Sequence, residues 1–100
     1  MIRIKFSSCG LTVDGHSDRA LADHEKVCTA VGSVVLGYAA GLEALSDKPV
    51  KIDPGEEHGG HMSLDWGNAP DAAAWVLIEG LRVALGWLAS SYPAHITLDD

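Results

Sequence analysis

The stretch 2–16 reads IRIKFSSCGLTVDGH and decides how the chain begins to fold. Its two isoleucines and its phenylalanine alternate with polar side chains, which is the period of a strand with one buried face. The Ser-Cys-Gly sequence that follows predicts a turn, and Leu-Thr-Val resumes a second strand. The stretch therefore predicts a β-hairpin that ends at Gly15 and leaves His16 just past a strand.

A long helix is predicted after a polar loop over residues 17–24. Asp23 is a suitable N-cap, and the helix is expected to run to about Leu45. Apolar residues recur along one face at three- and four-residue steps: Val27, Val31, Val34, Tyr38, Leu42 and Leu45. We expect this face to lie against the core.

The second half of the chain repeats the arrangement of strands followed by a helix. Short strands are predicted at 50–52 and 62–66, and Pro70 with Asp71 opens a helix that runs to about Ser90. A last strand follows at 95–98. The order is ββαββαβ, which indicates an α+β fold with a mostly antiparallel sheet. Because the chain has 100 residues, we expect a single domain over 1–100.

The second helix is almost entirely apolar. Between residues 72 and 89 its charged residues are Glu79 and Arg82. One predicted stripe consists of Ala73, Leu77, Leu81, Ala84 and Leu88, while Trp75, Ile78 and Val83 lie off it. A helix that is apolar on more than one face is buried on more than one side. In so small a domain this predicts a partner subunit, and the tryptophans are expected to be core or interface residues.

The chain carries 14 acidic and 7 basic residues, a formal net charge of −7. Such a surface repels phosphate backbones, which argues against direct binding of nucleic acid, and it attracts a basic partner. No unbroken apolar run is long enough to span a bilayer, and the first residues lack the apolar core of a signal peptide. We therefore expect a cytoplasmic protein that does not enter the membrane.

Cys28 is the first candidate for chemistry, because it falls near the fourth or fifth residue of the first helix. A helix N-terminus and a nearby imidazole both favour the thiolate, which is the nucleophilic form of cysteine. His16 is the candidate general base, and Glu25 either orients the imidazole or simply favours the start of the helix. From spacing alone the plainer alternatives stay open: Cys28 as a small buried hydrophobe and His16 as a solvated loop residue.

Other polar clusters are weaker candidates. Glu56, Glu57, His58 and His61 carry groups that suit zinc, but two glycines separate the histidines and no helix fixes their geometry. We interpret this segment as a polar turn and expect neither a metal nor another cofactor. A thiol redox protein would use Cys9 with Cys28, yet the chain has no Cys-x-x-Cys, so Cys9 is expected to be a free thiol.

The residues around the candidate pair resemble a known family. Gly15-His16-Ser17, followed by Glu25-Lys-Val-Cys-Thr-Ala-Val31, resembles the Gly-His-Ala and Asp-Ile-Val-Cys-Ala-Ala-Val-Ser signature of the ribosomal-processing cysteine protease Prp. The step of 12 residues from histidine to cysteine also agrees. The motif itself covers about residues 13 to 35. The order of strands and helices resembles that of the family over most of the chain.

This resemblance implies a homodimeric cysteine protease without a cofactor, in which His16 is the base and Cys28 the nucleophile. It implies that the substrate is a basic large-subunit ribosomal protein precursor, whose N-terminal extension is trimmed during ribosome assembly. The alternative is a non-catalytic dimeric binding or assembly module on the same fold.

Several neighbours of the candidate pair depart from the signature. Glu25 replaces an aspartate, Lys26 an apolar residue and Ser17 an alanine. Gly32 replaces a serine, with Ser33 one place along and about 100° round the helix. We take Glu25, Ser17 and Ser33 as candidates for orienting or supporting the pair.

Overall fold

The computed structural model describes residues 1–55 and 60–100. Its elements follow the predicted order ββαββαβ, and the predicted bounds of the last three strands differ from the observed ones by about one residue. The elements are β1 Ile2–Phe6, β2 Gly10–Asp14, α1 His24–Leu45, β3 Lys51–Asp53, β4 His61–Asp65, α2 Ala72–Ser91 and β5 Ile96–Asp99. The predicted α+β class is confirmed.

The five strands form one sheet in the order β3-β4-β2-β1-β5. Neighbouring strands are antiparallel from β3 through β4 and β2 to β1, while β5 pairs with β1 in parallel. The sheet is therefore mixed and mostly antiparallel. A parallel pair cannot be joined by a tight turn; here α2 precedes β5 and carries the chain across the sheet to it.

One face of the sheet is covered by the two helices. In β1 the isoleucines and Phe6 are buried, whereas Arg3 and Lys5 between them are exposed. The buried strand residues form one core with both helices, so the domain has two layers. The alternation that predicted the first strand also predicted which side of it is covered.

The buried face of α1 differs from the predicted one in its second half. The helix buries Val27, Val31, Val35, Ala39 and Leu42. Val34 and Tyr38, which were predicted for this face, lie at its edge and are partly buried, and Leu45 is 64% exposed. The buried positions follow the 3.6-residue repeat of the helix, which moves the face one residue past the predicted Val34.

The predicted stripe on α2 is also wrong by one residue over most of its length. The helix buries Ala74, Ile78, Leu81, Leu85 and Leu88, whereas Ala73, Leu77 and Ala84 lie beside this face. Nearly every side chain of α2 is apolar, so hydrophobicity alone does not identify the side that faces the sheet.

Four large apolar side chains of α2 remain exposed, and we call them the outer α2 face: Trp75, Val76, Val83 and Trp87. Helical geometry places them within about 120° of one another round the helix axis. Trp66, in contrast, is 4% exposed and belongs to the core. The prediction that the tryptophans are core or interface residues is confirmed for Trp66 as a core residue.

By length and hydropathy alone, α1 and α2 could each cross a membrane. The sequence did not predict this, because polar residues interrupt the apolar runs of both helices. Each helix nevertheless buries one face in the core of this domain. Core helices of folded domains meet the same criterion, so this property does not identify a membrane span.

The two helices begin differently. The Asp71 side chain accepts a hydrogen bond from Ala74 N at 2.9 Å and caps α2. Asp23 occupies the same position before α1 but adopts a left-handed conformation, with φ 68°, and its side chain does not cap the helix. Asp23 O instead accepts from Val27 N at 3.0 Å. The first turn of α1 therefore lacks a side-chain cap from Asp23.

Candidate active site

His16 follows β2 directly and is exposed. Gly15 turns the chain out of the strand with φ +86°. A Cβ added to Gly15 would also clash with Met1 O, at a distance of 2.4 Å. Gly15 N donates to Gly60 O at 2.7 Å, and His16 O accepts from Met1 N at 2.5 Å. The backbone that carries His16 is thus bonded both to the start of β1 and to the residue before β4.

The imidazole of His16 lies against Gly60. A Cβ added to Gly60 would come 2.6 Å from His16 Nε2, and Gly60 itself has φ +67°. The positive φ favours glycine at this position, and a side chain there would have to displace the exposed imidazole. The side chain of His16 therefore rests on the backbone that leads into β4.

Cys28 is the fifth residue of α1 and is a free, partly buried thiol that packs against the core. The predicted position near the start of the helix is confirmed. Since Val27 N already donates to Asp23 O, the N–H groups of the first turn that lack an intrahelical acceptor are those of the residues before Val27.

His16 and Cys28 together line two adjoining cavities. The first has a volume of about 230 Å³ and the second of about 430 Å³, and these two residues are common to both. The structure therefore places the two predicted residues together on the walls of both cavities.

The first cavity is mainly apolar. It is lined by Ile2, Val13, Val31, Met62 and Pro54, together with glycines and His61. Gly32 is among these glycines, and a Cβ added there would meet only Met62 Cε, at the ordinary contact distance of 3.9 Å. The glycine that departs from the resembled signature therefore enlarges this cavity.

The second cavity is mainly polar. Besides the candidate pair it is lined by Ser17, Arg19, His24 and Glu25. The Glu25 side chain is 90% exposed, and its Oε1 lies 3.9 Å from His24 Nε2. The structure thus places Glu25 beside the site and next to His24.

Comparison with known proteins identifies the family of this chain. The sequence profile of the family described as cysteine protease Prp matches residues 1–97. The chain belongs to the cysteine protease Prp family. It is therefore a cysteine protease by family, and the predicted resemblance is confirmed.

Solved structures share the fold of this Prp family member. The ribosomal processing protease Prp from S. aureus, in complex with a covalently linked product peptide, has a TM-score of 0.79 at 20% identity, and the match covers 98% of this chain and 95% of that one. SMU.848 from Streptococcus mutans has a TM-score of 0.77 at 22% identity, with 99% and 92% covered. The search of curated proteins found no match.

The three supporting candidates of the Prp motif have different surroundings. Ser17 is buried, and its hydroxyl is hydrogen-bonded to His95 Nδ1. Glu25 lines the polar cavity, as described above. Ser33 is exposed and does not belong to the lining of either cavity as the structure describes them. The geometry thus brings Ser17 and Glu25 to the site and leaves Ser33 on the outside of α1.

One residue of the site was not predicted to act there. His61 lines the apolar cavity, and its Nδ1 is paired with Asp14 Oδ1 on the neighbouring strand. The hydrogen bond to Asp14 raises the pKa of His61 above its ordinary value, and the charges of Asp14 and Asp53 act in the same direction against desolvation. The pairing of β2 with β4 brings Asp14 and His61 together, and the spacing of 47 residues gave no signal of it.

The remaining sequence candidates lie elsewhere. Glu56, Glu57 and His58 are outside the described residues, so their interpretation as a polar turn stays a prediction. Within 1–55 and 60–100, no group of His, Cys, Asp and Glu side chains is arranged to hold a metal ion. Cys9 is a free thiol, as expected, and it precedes β2 whereas His16 follows it.

Proposed function

We propose that His16 and Cys28 are the catalytic pair of this protease. The observation that carries the proposal is that these two residues are shared by both cavities. A cysteine at the start of a helix beside a histidine on a rigid strand end is the arrangement that nucleophilic catalysis needs. Cys28 is only partly buried and lines both cavities, where a substrate would lie.

In this mechanism His16 accepts the proton of the Cys28 thiol, and the sulfur attacks the scissile carbonyl carbon. The carbon–nitrogen bond then breaks, and the protonated imidazole gives its proton to the leaving amine. The acyl group stays on the Cys28 sulfur as a thioester. A water molecule attacks the thioester while His16 accepts its proton. Breaking the carbon–sulfur bond releases the new carboxyl group and restores the thiol.

The developing oxyanion needs hydrogen-bond donors. The first turn of α1, from His24 to Lys26, carries backbone N–H groups without intrahelical acceptors, and the positive end of the helix dipole lies there. We assign the stabilisation of the oxyanion to these groups.

The two cavities give the substrate a direction of binding. The apolar cavity accepts an apolar side chain on one side of the scissile bond. The polar cavity, with Glu25, Arg19 and His24 at its wall, accepts polar groups on the other side. The proposed substrate is therefore a peptide segment whose character changes from apolar to polar at the cleavage site.

We propose that this segment is the N-terminal extension of a large-subunit ribosomal protein, cleaved in the cytoplasm during ribosome assembly. Two observations support this substrate. The similar S. aureus structures are described as a ribosomal processing protease with product and substrate peptides, and the net charge of −7 attracts a basic protein.

Incubation with a ribosomal protein precursor from the same genome tests the proposal. Wild-type protein and a Cys9→Ala control are expected to shorten the precursor by its extension, as read by mass spectrometry. Cys28→Ala and His16→Ala are expected to leave it intact. A precursor that stays whole with the wild type would exclude this substrate, and cleavage by Cys28→Ala would exclude the nucleophile.

We further propose that two copies associate through the outer α2 face. Trp75 is 56% exposed and Trp87 66% exposed, which leaves apolar area in water that a second copy would cover. Light scattering after size exclusion is expected to give the mass of a dimer, and Val83→Glu that of a monomer. A monomeric wild type, or a dimeric Val83→Glu variant, would overturn this assignment.

A further inference from the structure

The two buried polar side chains in the described part of the chain contact each other. Ser17 is 3% exposed and His95 is 7% exposed, and Ser17 Oγ is hydrogen-bonded to His95 Nδ1 across 78 residues of sequence. Buried polar groups are retained where they have partners, because an unsatisfied one destabilises the fold. This contact connects the loop before α1 with the start of β5.

His95 is the fixed member of the contact. Its carbonyl accepts a hydrogen bond from Ile2 N at 2.8 Å, and its own N–H donates to Tyr92 O at 3.0 Å. The Tyr92 ring meets the imidazole edge-on, with 6.1 Å between the ring centroids. The ring of His95 is therefore held where β1 and β5 begin side by side.

Ser17 belongs to the loop that leads from His16 to α1. Beyond Ser17 the described hydrogen bonds of this loop are internal: Ala20 N and Leu21 N both donate to Asp18, at 2.9 and 3.0 Å. Ser17 is thus the last residue of the loop that the described hydrogen bonds tie to the sheet.

We propose that His95 is a positioning residue of this protease, which acts through Ser17 to fix the location of His16. The proposal rests on the role of His16 as the base. The contacts of Gly15 and His16 with Gly60 and Met1 use backbone atoms, whereas the contact of Ser17 with His95 holds the chain on the far side of His16. With anchors on both sides, the imidazole keeps one position relative to Cys28.

Such anchoring matters because proton transfer and attack depend on distances of a few tenths of an ångström, and a displacement of about 1 Å can lower the rate about 100-fold. An anchored base changes the rate of the chemical step and leaves the cavities that bind the peptide intact. The signature of positioning is therefore a fall in kcat with little change in KM.

The test compares Ser17→Ala, His95→Asn and the double variant Ser17→Ala/His95→Leu, with exposed Ser90→Ala as the matched control. The readouts are the iodoacetamide labelling rate of Cys28 at pH 7, kcat and KM for the cleaved peptide, and the melting temperature. Ser17→Ala removes from the polar cavity's wall only a buried hydroxyl that is bonded to His95. It is therefore expected to lower the labelling rate and kcat at least about tenfold with little change in KM. His95→Asn is expected to retain most activity, because the Asn amide reaches the position of Nδ1.

The double variant separates positioning from stability. It removes both polar groups, so its melting temperature is expected to recover towards the wild type while kcat stays low. Recovery of kcat along with the melting temperature, or a wild-type kcat in Ser17→Ala, would overturn the proposal. Equal labelling of Cys28 in the wild type and in His16→Ala would instead overturn the assignment of the base, which distinguishes the two failures.

Discussion

The backbone of Gly60 supports the imidazole of His16. A single Cβ at Gly60 would come 2.6 Å from Nε2, so a side chain at this position could be accommodated only by displacing the imidazole proposed as the base. Gly60 O also accepts a hydrogen bond from Gly15 N. Gly60 therefore contacts the imidazole of His16 and also holds the backbone just before it.

Gly60→Ala is therefore expected to displace the imidazole and to lower kcat/KM about 10- to 100-fold, as measured with a peptide substrate. Gly67→Ala is the matched control, because Gly67 also has a positive φ, +80°, but nothing lies within 4 Å of its added Cβ. Both substitutions strain the backbone, but only Gly60→Ala also places a methyl group against the His16 imidazole. Equal activity of the two variants would contradict the role of Gly60.

The two free thiols are expected to differ in reactivity. At pH 7 iodoacetamide should label Cys28 faster than Cys9, because Cys28 lies beside His16 at the start of a helix. His16→Ala is expected to remove the difference. Mass spectrometry of the digested protein measures both sites in one sample, and slow, equal labelling in the wild type would argue against the pair.

Filling the apolar cavity is expected to impair binding and spare the thiol. Gly32→Leu places a side chain among the cavity walls and should raise KM about tenfold or more, while iodoacetamide, being small, labels Cys28 as before. Gly37→Leu serves as the control on the same helix, because nothing lies within 4 Å of a Cβ there. An unchanged KM in Gly32→Leu would show that the peptide does not use this cavity.

The pairing of Asp14 with His61 predicts a pH dependence of stability. The pKa of His61 is raised in the folded protein, chiefly by the hydrogen bond to Asp14. The folded state therefore holds a proton that the unfolded state releases, so the stabilisation is complete below the ordinary value of 6.5 and is lost as the pH rises through the folded pKa.

Urea denaturation of the wild type and of Asp14→Asn at pH 5.5 and pH 8.5 measures this effect. The wild type is expected to exceed the variant in free energy of unfolding by more at the lower pH. The comparison cancels the titration of the other histidines, which both proteins share. A difference that is constant or grows with pH would contradict the assigned pairing.

Local patterns in the sequence predicted most of the fold. The alternation of Ile2, Ile4 and Phe6 predicted both the first strand and its buried side. The aspartates at 23 and 71 marked the starts of both helices, although only the Asp71 side chain caps its helix. The parallel pairing of β1 with β5 had no local signal, because it depends on how α2 crosses the sheet.

The candidate site was predicted as far as single residues and short spacings allow. His16 and Cys28 lie in neighbouring segments, and a motif resemblance identified them. The contacts of His61 with Asp14 and of Ser17 with His95 join residues 47 and 78 positions apart. Only strand pairing brings these residues together, and a single sequence does not show which strands are paired.

The parallel pairing of β1 with β5 has a consequence for the time at which the enzyme matures. During synthesis the hairpin and α1, with both proposed catalytic residues, leave the ribosome before β5 is made. The interior position of β1, and with it the place of His95, is completed only when β5 docks, a contact of long sequence separation. We therefore expect a nascent chain to carry its thiol and imidazole without the proposed anchor, and to become competent for proteolysis only when β5 docks.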